Sequence, residues 1–219
     1  MKATSPLPWI CLFGLLAGCA AYRVAGQVQT GRQALIMNEP ERALPYLLEA
    51  AETNPNYVYR SMDFHEGVWT YVGRAQYGTG RFKEARDSLE RALALDPDDH
   101  LARLYLGLTL ARTGDDARGF KEIERAMIGI HEWLDYMERT RPIEAYWDPL
   151  REIRTAIQQE LATLPGKDFN RAQLIANAEW LGRRFEVEVD EVRGAERRDF
   201  NRGIGRRRGG LSVGIGVGF

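Results

Sequence analysis

The chain has 219 residues, with 30 basic against 31 acidic side chains and two cysteines. At about 100–200 residues per domain, this length predicts one domain, or one domain with an appendage. The content of 44% hydrophobic and 28% charged residues is typical of a folded protein and excludes wholesale disorder. The formal charge of −1 gives no whole-chain case for nucleic acid binding, and two cysteines exclude a disulfide-rich framework.

The N-terminus carries one basic residue and then a short apolar segment. Lys2 is followed by an apolar run at 9–17, which is shorter than the ~20 residues that a membrane-spanning helix needs. This arrangement is typical of a secretory signal peptide. The run ends in Leu16-Ala17-Gly18-Cys19, which resembles the lipobox of bacterial lipoproteins.

The resemblance implies that residues 1–18 are a signal peptide, that the thiol of Cys19 receives a lipid, and that 19–23 form a linker. Ala20 after the cysteine implies sorting to the outer membrane of a Gram-negative bacterium, on its periplasmic face. The alternative is an ordinary signal peptide with a chance cysteine. No cofactor other than this covalent lipid is expected, and acylation of the one mature cysteine would exclude disulfides and thiol catalysis.

Three segments, at 24–57, 66–99 and 100–133, carry glycine and alanine at matching offsets. The second is the clearest, and only Gln76 departs from an aromatic position. It is similar to the tetratricopeptide repeat pattern of 34 residues, W-x2-L-G-x2-Y followed by A, F/L, A and P. The residues that carry this resemblance are Trp69, Val72, Gly73, Ala85, Leu89, Ala92 and Pro97.

The resemblance implies an all-α fold in which about three helix-turn-helix repeats stack into a superhelix. An unrelated antiparallel helical hairpin is the alternative. Residues 134–184 are expected to add capping helices to the repeats at 24–133. One is predicted at 149–164 with Asp148 as its cap, and another from Asp168 to about Arg184.

In this family the first helix of each repeat lines a concave groove. An apolar groove with a few arginines suits a peptide or helix that carries carboxylates, because arginine binds them bidentately. The alternative is that the chain's own N-terminal linker or C-terminal segment fills the groove, since exposed apolar surface is rarely left bare. The repeat register places in this groove Arg32, Arg74, Tyr77, Leu104, Leu108 and Arg112.

Residues 185–219 form a basic, glycine-rich tail. Residues 185–190 alternate apolar and acidic side chains, which fits a short strand or the end of a helix. Residues 193–208 carry seven arginines against two acidic residues, a net charge of +5. Anionic lipid headgroups or an acidic protein are the expected contacts of this run, including Arg206, Arg207 and Arg208.

The last residues of the tail alternate apolar side chains with glycine and serine, and they end in an aromatic residue. This is similar to the terminal strand signal of outer-membrane barrels, and it predicts a strand that adds to a partner's sheet. A disordered tail with accidental alternation is the alternative, because glycine weakens strands. The predicted contacts are Val213, Ile215, Val217 and Phe219.

The motifs of common enzyme classes are missing from the sequence. His65-Glu66 and His131-Glu132 lack the second histidine of a zinc protease, and no P-loop or G-x-S-x-G is present. We therefore expect a non-enzymatic scaffold or assembly factor, pilotin-like or an adaptor of envelope machinery. Its partners would be envelope proteins bound as a peptide or helix in the groove, with the membrane reached by the lipid anchor and no nucleic acid. The alternatives are a structural subunit that contributes its C-terminal strand, and a regulator of a peptidoglycan-synthesising enzyme.

Overall fold

The computed structural model describes residues 7–61, 63–140, 147–164 and 170–209. These segments form eight helices and one β-hairpin, so the predicted all-α helical-repeat fold is confirmed. The elements in chain order are α1 (Leu7–Ile36), α2 (Pro40–Thr53), β1 (Val58–Ser61), β2 (Phe64–Gly67), α3 (Val68–Gly78), α4 (Phe82–Leu95), α5 (His100–Arg112), α6 (Asp116–Thr140), α7 (Glu152–Thr163) and α8 (Arg171–Gly209).

Glycines let the two helices of each repeat approach closely. A Cβ atom on Gly73 of α3 would lie 2.5 Å from Cγ of Leu89 in α4. On Gly107 of α5, it would lie 2.7 Å from the backbone oxygen of Gly119 in α6. Both distances are shorter than atoms can tolerate, so these positions have no room for a larger side chain. The pairs α1/α2, α3/α4 and α5/α6 therefore pack face to face as helical hairpins.

Buried polar side chains form hydrogen bonds within the second repeat and between the second repeat and the third. Gln76 is buried in place of an aromatic residue, and its Oε1 accepts a hydrogen bond at 2.7 Å from the hydroxyl of Ser88. Asp99 caps α5 by accepting from the backbone N–H of Ala102 at 2.8 Å. The other oxygen of Asp99 accepts from the hydroxyl of Thr70 at 2.6 Å, which ties the second repeat to the third.

An antiparallel β-hairpin separates the first two repeats, a feature that the sequence did not predict. Its register pairs Val58 with Gly67 and Ser61 with Phe64. The burial of successive residues alternates along both strands. The hairpin thereby buries four side chains among the helices, namely Tyr59, Ser61, Phe64 and Glu66.

The helices after the repeats differ from the prediction in their bounds. Helix α7 begins at Glu152, three residues later than predicted. Asp148 still caps it, because its carboxylate accepts from the backbone N–H groups of Ile153 and Arg154 at 3.0 and 3.1 Å. Asp168, the predicted cap of the next helix, lies outside the described residues. The helix begins at Arg171, and the side chain of Asn170 accepts from the N–H groups of its first turn.

Of the two alternatives left open for 185–190, the strand is wrong and the segment is helical, and the helix end predicted near Arg184 is wrong as well. Helix α8 runs without interruption from Arg171 to Gly209. The physical reason is a second pattern in the same residues: Leu181, Phe185, Val189 and Val192 follow at spacings of four, four and three, which is one face of a helix, and all four are buried.

Several predicted features lie at or beyond the limits of the described residues. Helix α1 begins at Leu7 and includes residues 7–18 of the segment predicted as a signal peptide, but the side chain of Cys19 lies outside the described part. The predicted strand contacts Val213, Ile215, Val217 and Phe219 lie outside the described residues. Within residues 7–209, as far as they are described, no helix is both long enough and apolar enough to cross a membrane.

Candidate partner-binding face

Helix α8 lies over the face formed by α1, α3 and α5, which is the predicted concave groove. Its N-terminal part packs mainly on α5, and it also contacts α1 and α7. The residues that α8 buries there recur at helical spacing: Leu174, Ala178, Leu181, Phe185 and Val189. The chain's own C-terminal segment therefore fills much of the groove, as one of the two alternatives from the sequence expected.

Two arginines of the repeats bind one glutamate of α8 at the centre of this contact. Nη2 of Arg32 in α1 lies 2.5 Å from Oε1 of Glu186, and Nη1 of Arg74 in α3 lies 2.5 Å from Oε2. All three side chains are at least 97% buried. Arg32 and Arg74 were predicted groove residues, and the structure brings them together around a carboxylate of this chain.

A second glutamate, from the hairpin, completes the cluster. Nη1 of Arg74 donates to Oε1 of Glu66 at 2.9 Å. Burial raises the pKa of Glu66 to about 8, although Arg74 opposes the shift. Burial also acts to raise the pKa of Glu186, but its contacts with Arg74 and Arg32 hold that pKa below the usual value. Two arginines and two glutamates thus share one buried site, where an unpaired charge would be costly.

Aromatic rings surround this charge cluster. The guanidinium carbon of Arg32 lies 4.1 Å from the ring centre of Tyr59, and that of Arg74 lies 5.3 Å from the ring centre of Tyr105. Such distances allow cation–π attraction, which strengthens when the cation is removed from water. The arginines are therefore held by rings as well as by carboxylates. The predicted groove residues Leu104 and Leu108 lie on α5, are fully buried and add only packing.

The remaining predicted groove residues, Tyr77 and Arg112, contact α8 at Glu179, two helical turns before Glu186. Arg112 Nη2 donates to Oε1 of Glu179 at 2.6 Å, and the hydroxyl of Tyr77 donates to the same oxygen. Arg112 Nε donates to the Tyr77 hydroxyl at 3.2 Å. All three polar contacts are less buried than those of Glu186, because Arg112 keeps 44% of its side chain exposed. In this conformation the predicted partner contacts of Arg32, Arg74, Tyr77 and Arg112 are made by the chain itself.

An open cleft of about 310 Å³ remains beside α8 on the same face. Its walls are the turns between the two helices of the first and of the second repeat, with Pro40 and Phe82, and the side of α8. Arg112 and Arg183 line it and both are exposed, but only Arg183 makes no carboxylate contact among the described residues. Since Arg74 and Glu186, which also line the cleft, pair with each other, the cleft presents two further arginines against Glu179.

An aromatic cluster anchors α8 at its centre. The ring of Phe185 lies 5.6 Å from that of Phe64 in the hairpin, 5.8 Å from Trp133 of α6 and 6.0 Å from Trp147 before α7. Three other segments of the chain therefore pack against this one residue of α8. Close by, Oε1 of Glu188 accepts from the backbone N–H of Asp148 at 2.6 Å, which links α8 to the loop before α7.

Sequence reasoning missed the three glutamates that satisfy the groove, namely Glu66, Glu179 and Glu186. A signal for two of them was present: Glu179 and Glu186 are seven residues apart, two helical turns, so they share one face of a helix. Had α8 been recognised as a helix through this segment, both glutamates could have been placed on one face of it, opposite the groove arginines. Glu66 had no such signal, because its position depends on the hairpin.

Among the described residues, no group of three or more metal-binding side chains could hold a metal ion. Comparison with known protein families matches residues 73–131 to the tetratricopeptide repeat. A search among curated proteins found no similar protein. The matched segment covers the second helical hairpin from Gly73 and the third hairpin as far as residue 131, so this part of the chain is similar to the tetratricopeptide repeat, which generally mediates protein–protein interactions.

Proposed function

We propose that this protein is a non-enzymatic scaffold or assembly factor, held by a lipid on Cys19 at the periplasmic face of the outer membrane. Its partner is an envelope protein that inserts an acidic segment into the cleft beside α8. The observation that carries the proposal is the capture of Glu186 by Arg32 and Arg74. The concave face of these repeats is built to hold a carboxylate-bearing helix.

The open cleft offers the same chemistry to a segment from another protein. Arg183 supplies an uncommitted guanidinium, Arg112 supplies a second one, and Phe82 and Pro40 supply apolar walls. An arginine can bind a carboxylate through two parallel hydrogen bonds, which fixes the orientation of the bound group. A segment with one or two acidic side chains beside an apolar residue fits this combination.

Site-specific photocrosslinking in intact cells tests the cleft. We expect a crosslinker at Phe82, on the cleft wall, to trap a discrete partner. A crosslinker at Ile128, which is exposed on α6, should trap none. Charge reversal at Arg183 to Glu should abolish the Phe82 adduct, because it places like charges opposite the acidic segment. An adduct that persists unchanged in Arg183→Glu would contradict the proposed site.

Lipid attachment is tested separately. We expect the protein to incorporate radiolabelled palmitate and to fractionate with outer membranes, and a Cys19→Ala variant to do neither. Labelling that continues in Cys19→Ala would refute the anchor while it leaves the cleft proposal intact. The strand-contributing subunit and the peptidoglycan-synthase regulator remain predictions from the sequence.

A further inference from the structure

We propose that the C-terminal part of α8, residues 193–209, is a membrane-binding arm that lies on anionic phospholipid next to the lipid anchor. We call these residues the basic arm. The inference rests on the anchoring part of the proposed function, since it places the arm at the same surface as Cys19. It goes beyond that function because it assigns a second membrane contact to a helix whose first half fills the groove.

The direction of α8 brings the basic arm toward the anchored end of the molecule. Along α8, Glu186 contacts Arg32 of α1, and Arg193 donates to Oε1 of Gln29 of α1 at 2.7 Å. As residue numbers rise on α8, they fall on α1, so the two helices are antiparallel. The C-terminal end of α8 therefore points the same way as the N-terminal end of α1. The arm continues 16 residues beyond Arg193, about 24 Å at 1.5 Å per residue. Cys19 lies ten residues before Gln29, about 15 Å along α1.

Among the side chains of α8 that the structure describes, the buried face ends where the arm begins. Val192 is the last buried residue of α8 among those whose burial is described, and Arg193 is held by Gln29 and by the hydroxyl of Tyr59 at 2.9 Å. Beyond it, Arg197 and Arg198 are exposed. Residues 193–209 carry seven arginines against two acidic residues, a net charge of +5. A helix of this charge suits a negatively charged surface.

Exposed aromatic residues lie on both helices at this end. Phe200 of the arm is 70% exposed, and Tyr22, three residues after Cys19, is 85% exposed. Aromatic side chains are favoured at the boundary between lipid headgroups and acyl chains. An acidic protein would explain the arginines but not this pair of aromatic residues near the anchor. The combination favours a lipid surface as the partner of the arm.

Binding to vesicles tests the arm without any contribution from the anchor. The protein used is the mature chain with Cys19→Ser, so that no acyl chain is present. We expect it to sediment with vesicles that contain phosphatidylglycerol and not with pure phosphatidylcholine vesicles. Each arginine near an anionic surface changes partitioning about fivefold, so Arg197→Gln/Arg198→Gln should weaken binding about 25-fold. Raising the salt concentration should weaken binding of the parent chain, because salt screens exposed charges.

A control of equal charge separates a local contact from net charge. Arg118→Gln/Arg125→Gln removes two exposed arginines from α6, away from the arm, and should leave vesicle binding unchanged. Phe200→Ala should weaken binding in low salt and in high salt alike. Equal losses in the α6 control and in the arm variant, or no binding to phosphatidylglycerol vesicles, would overturn the proposal. Because the tested chain has no lipid, such a failure is distinguishable from a failure of Cys19 to be acylated.

Discussion

Arg74 and Glu186 are 112 residues apart in the chain, yet Nη1 of Arg74 donates to Oε2 of Glu186 at 2.5 Å inside the protein. This contact joins the second repeat to the C-terminal helix. Since both side chains are at least 97% buried, neither can fall back on water if the other is removed. The same arginine also holds Glu66 of the hairpin, so one guanidinium connects three elements of the fold.

Removal of the Glu186 charge should destabilise the whole protein. We expect Glu186→Gln to lower the free energy of unfolding by about 3–5 kcal/mol, because it leaves buried arginine charge uncompensated. Urea denaturation followed by circular dichroism measures the change. Glu191→Gln is the matched control, since Glu191 lies on the same helix with 61% of its side chain exposed, and it should leave the midpoint nearly unchanged. Equal midpoints for the two variants would contradict the buried cluster.

Glu66 should make stability depend on pH. Its pKa is raised by burial to about 8, so the folded state holds a proton that the unfolded state releases near its ordinary value of 4.5. The folded state binds more protons between these values, and stability therefore falls as the pH rises from about 5 to 8, by at most about 1.4 kcal/mol per pH unit.

The effect of Glu66 is isolated by comparison with Glu66→Gln, which cannot titrate. The difference in unfolding free energy between parent and variant should shift steadily against the parent as the pH rises from 5 to 8. Other groups, such as His100 with its pKa lowered by burial, cancel in this difference. A difference that is constant over this range would show that Glu66 does not hold a proton in the folded state.

Gly107 should tolerate no side chain. A Cβ there would lie 2.7 Å from the backbone oxygen of Gly119 and 2.8 Å from the backbone nitrogen of Ile123. Because backbone atoms cannot move aside easily, we expect Gly107→Ala to destabilise the protein by about 1–3 kcal/mol. In α1, a Cβ on Gly26 would meet nothing within 4 Å, so Gly26→Ala should stabilise by about 0.5–1 kcal/mol through helix propensity. Thermal melts of both variants decide the matter, and the same sign for both would be incompatible with the packing described.

Two phenylalanines of α8 should differ sharply in their contribution to stability. Phe185 is 3% exposed within the aromatic cluster, whereas Phe200 is 70% exposed in the basic arm. We expect Phe185→Ala to cost about 3–5 kcal/mol, through lost burial and a cavity. Phe200→Ala should leave the unfolding midpoint in urea unchanged. If both variants unfolded at the same urea concentration, the boundary between the packed and projecting parts of α8 would be misplaced.

The repeats were predictable because close helix crossings demand small residues at fixed spacing. Gly73, Ala85 and Ala92 meet that demand, and all three are buried in the positions that the pattern implied. The tetratricopeptide fold follows from such local constraints, which a sequence displays directly. The turn at Gly80, where φ is 74°, belongs to the same class of local signal.

The continuation of α8 into the groove was not predictable from local sequence patterns. The run at 185–190 has both a two-residue and a helical period, and only the neighbouring Leu181 and Val192 distinguish them. Long-range pairing decided the outcome, because Glu186 is stabilised by arginines that are distant in sequence. The hairpin escaped prediction for a similar reason, since its buried side chains gain their environment only after the helices have packed.

Hydrogen exchange of α8 tests the central claim, that the chain's own helix fills the concave face of the repeats. We expect the amides of residues 174–192 to exchange as slowly as those of α3 and α5. Beyond Arg193, the amides should exchange much faster, because the described side chains there are exposed or half-buried. In Glu186→Gln the protection of residues 174–192 should fall toward that of the arm. Fast exchange throughout α8 in the parent protein, with α1–α6 still protected, would contradict the account and leave the groove open to a partner.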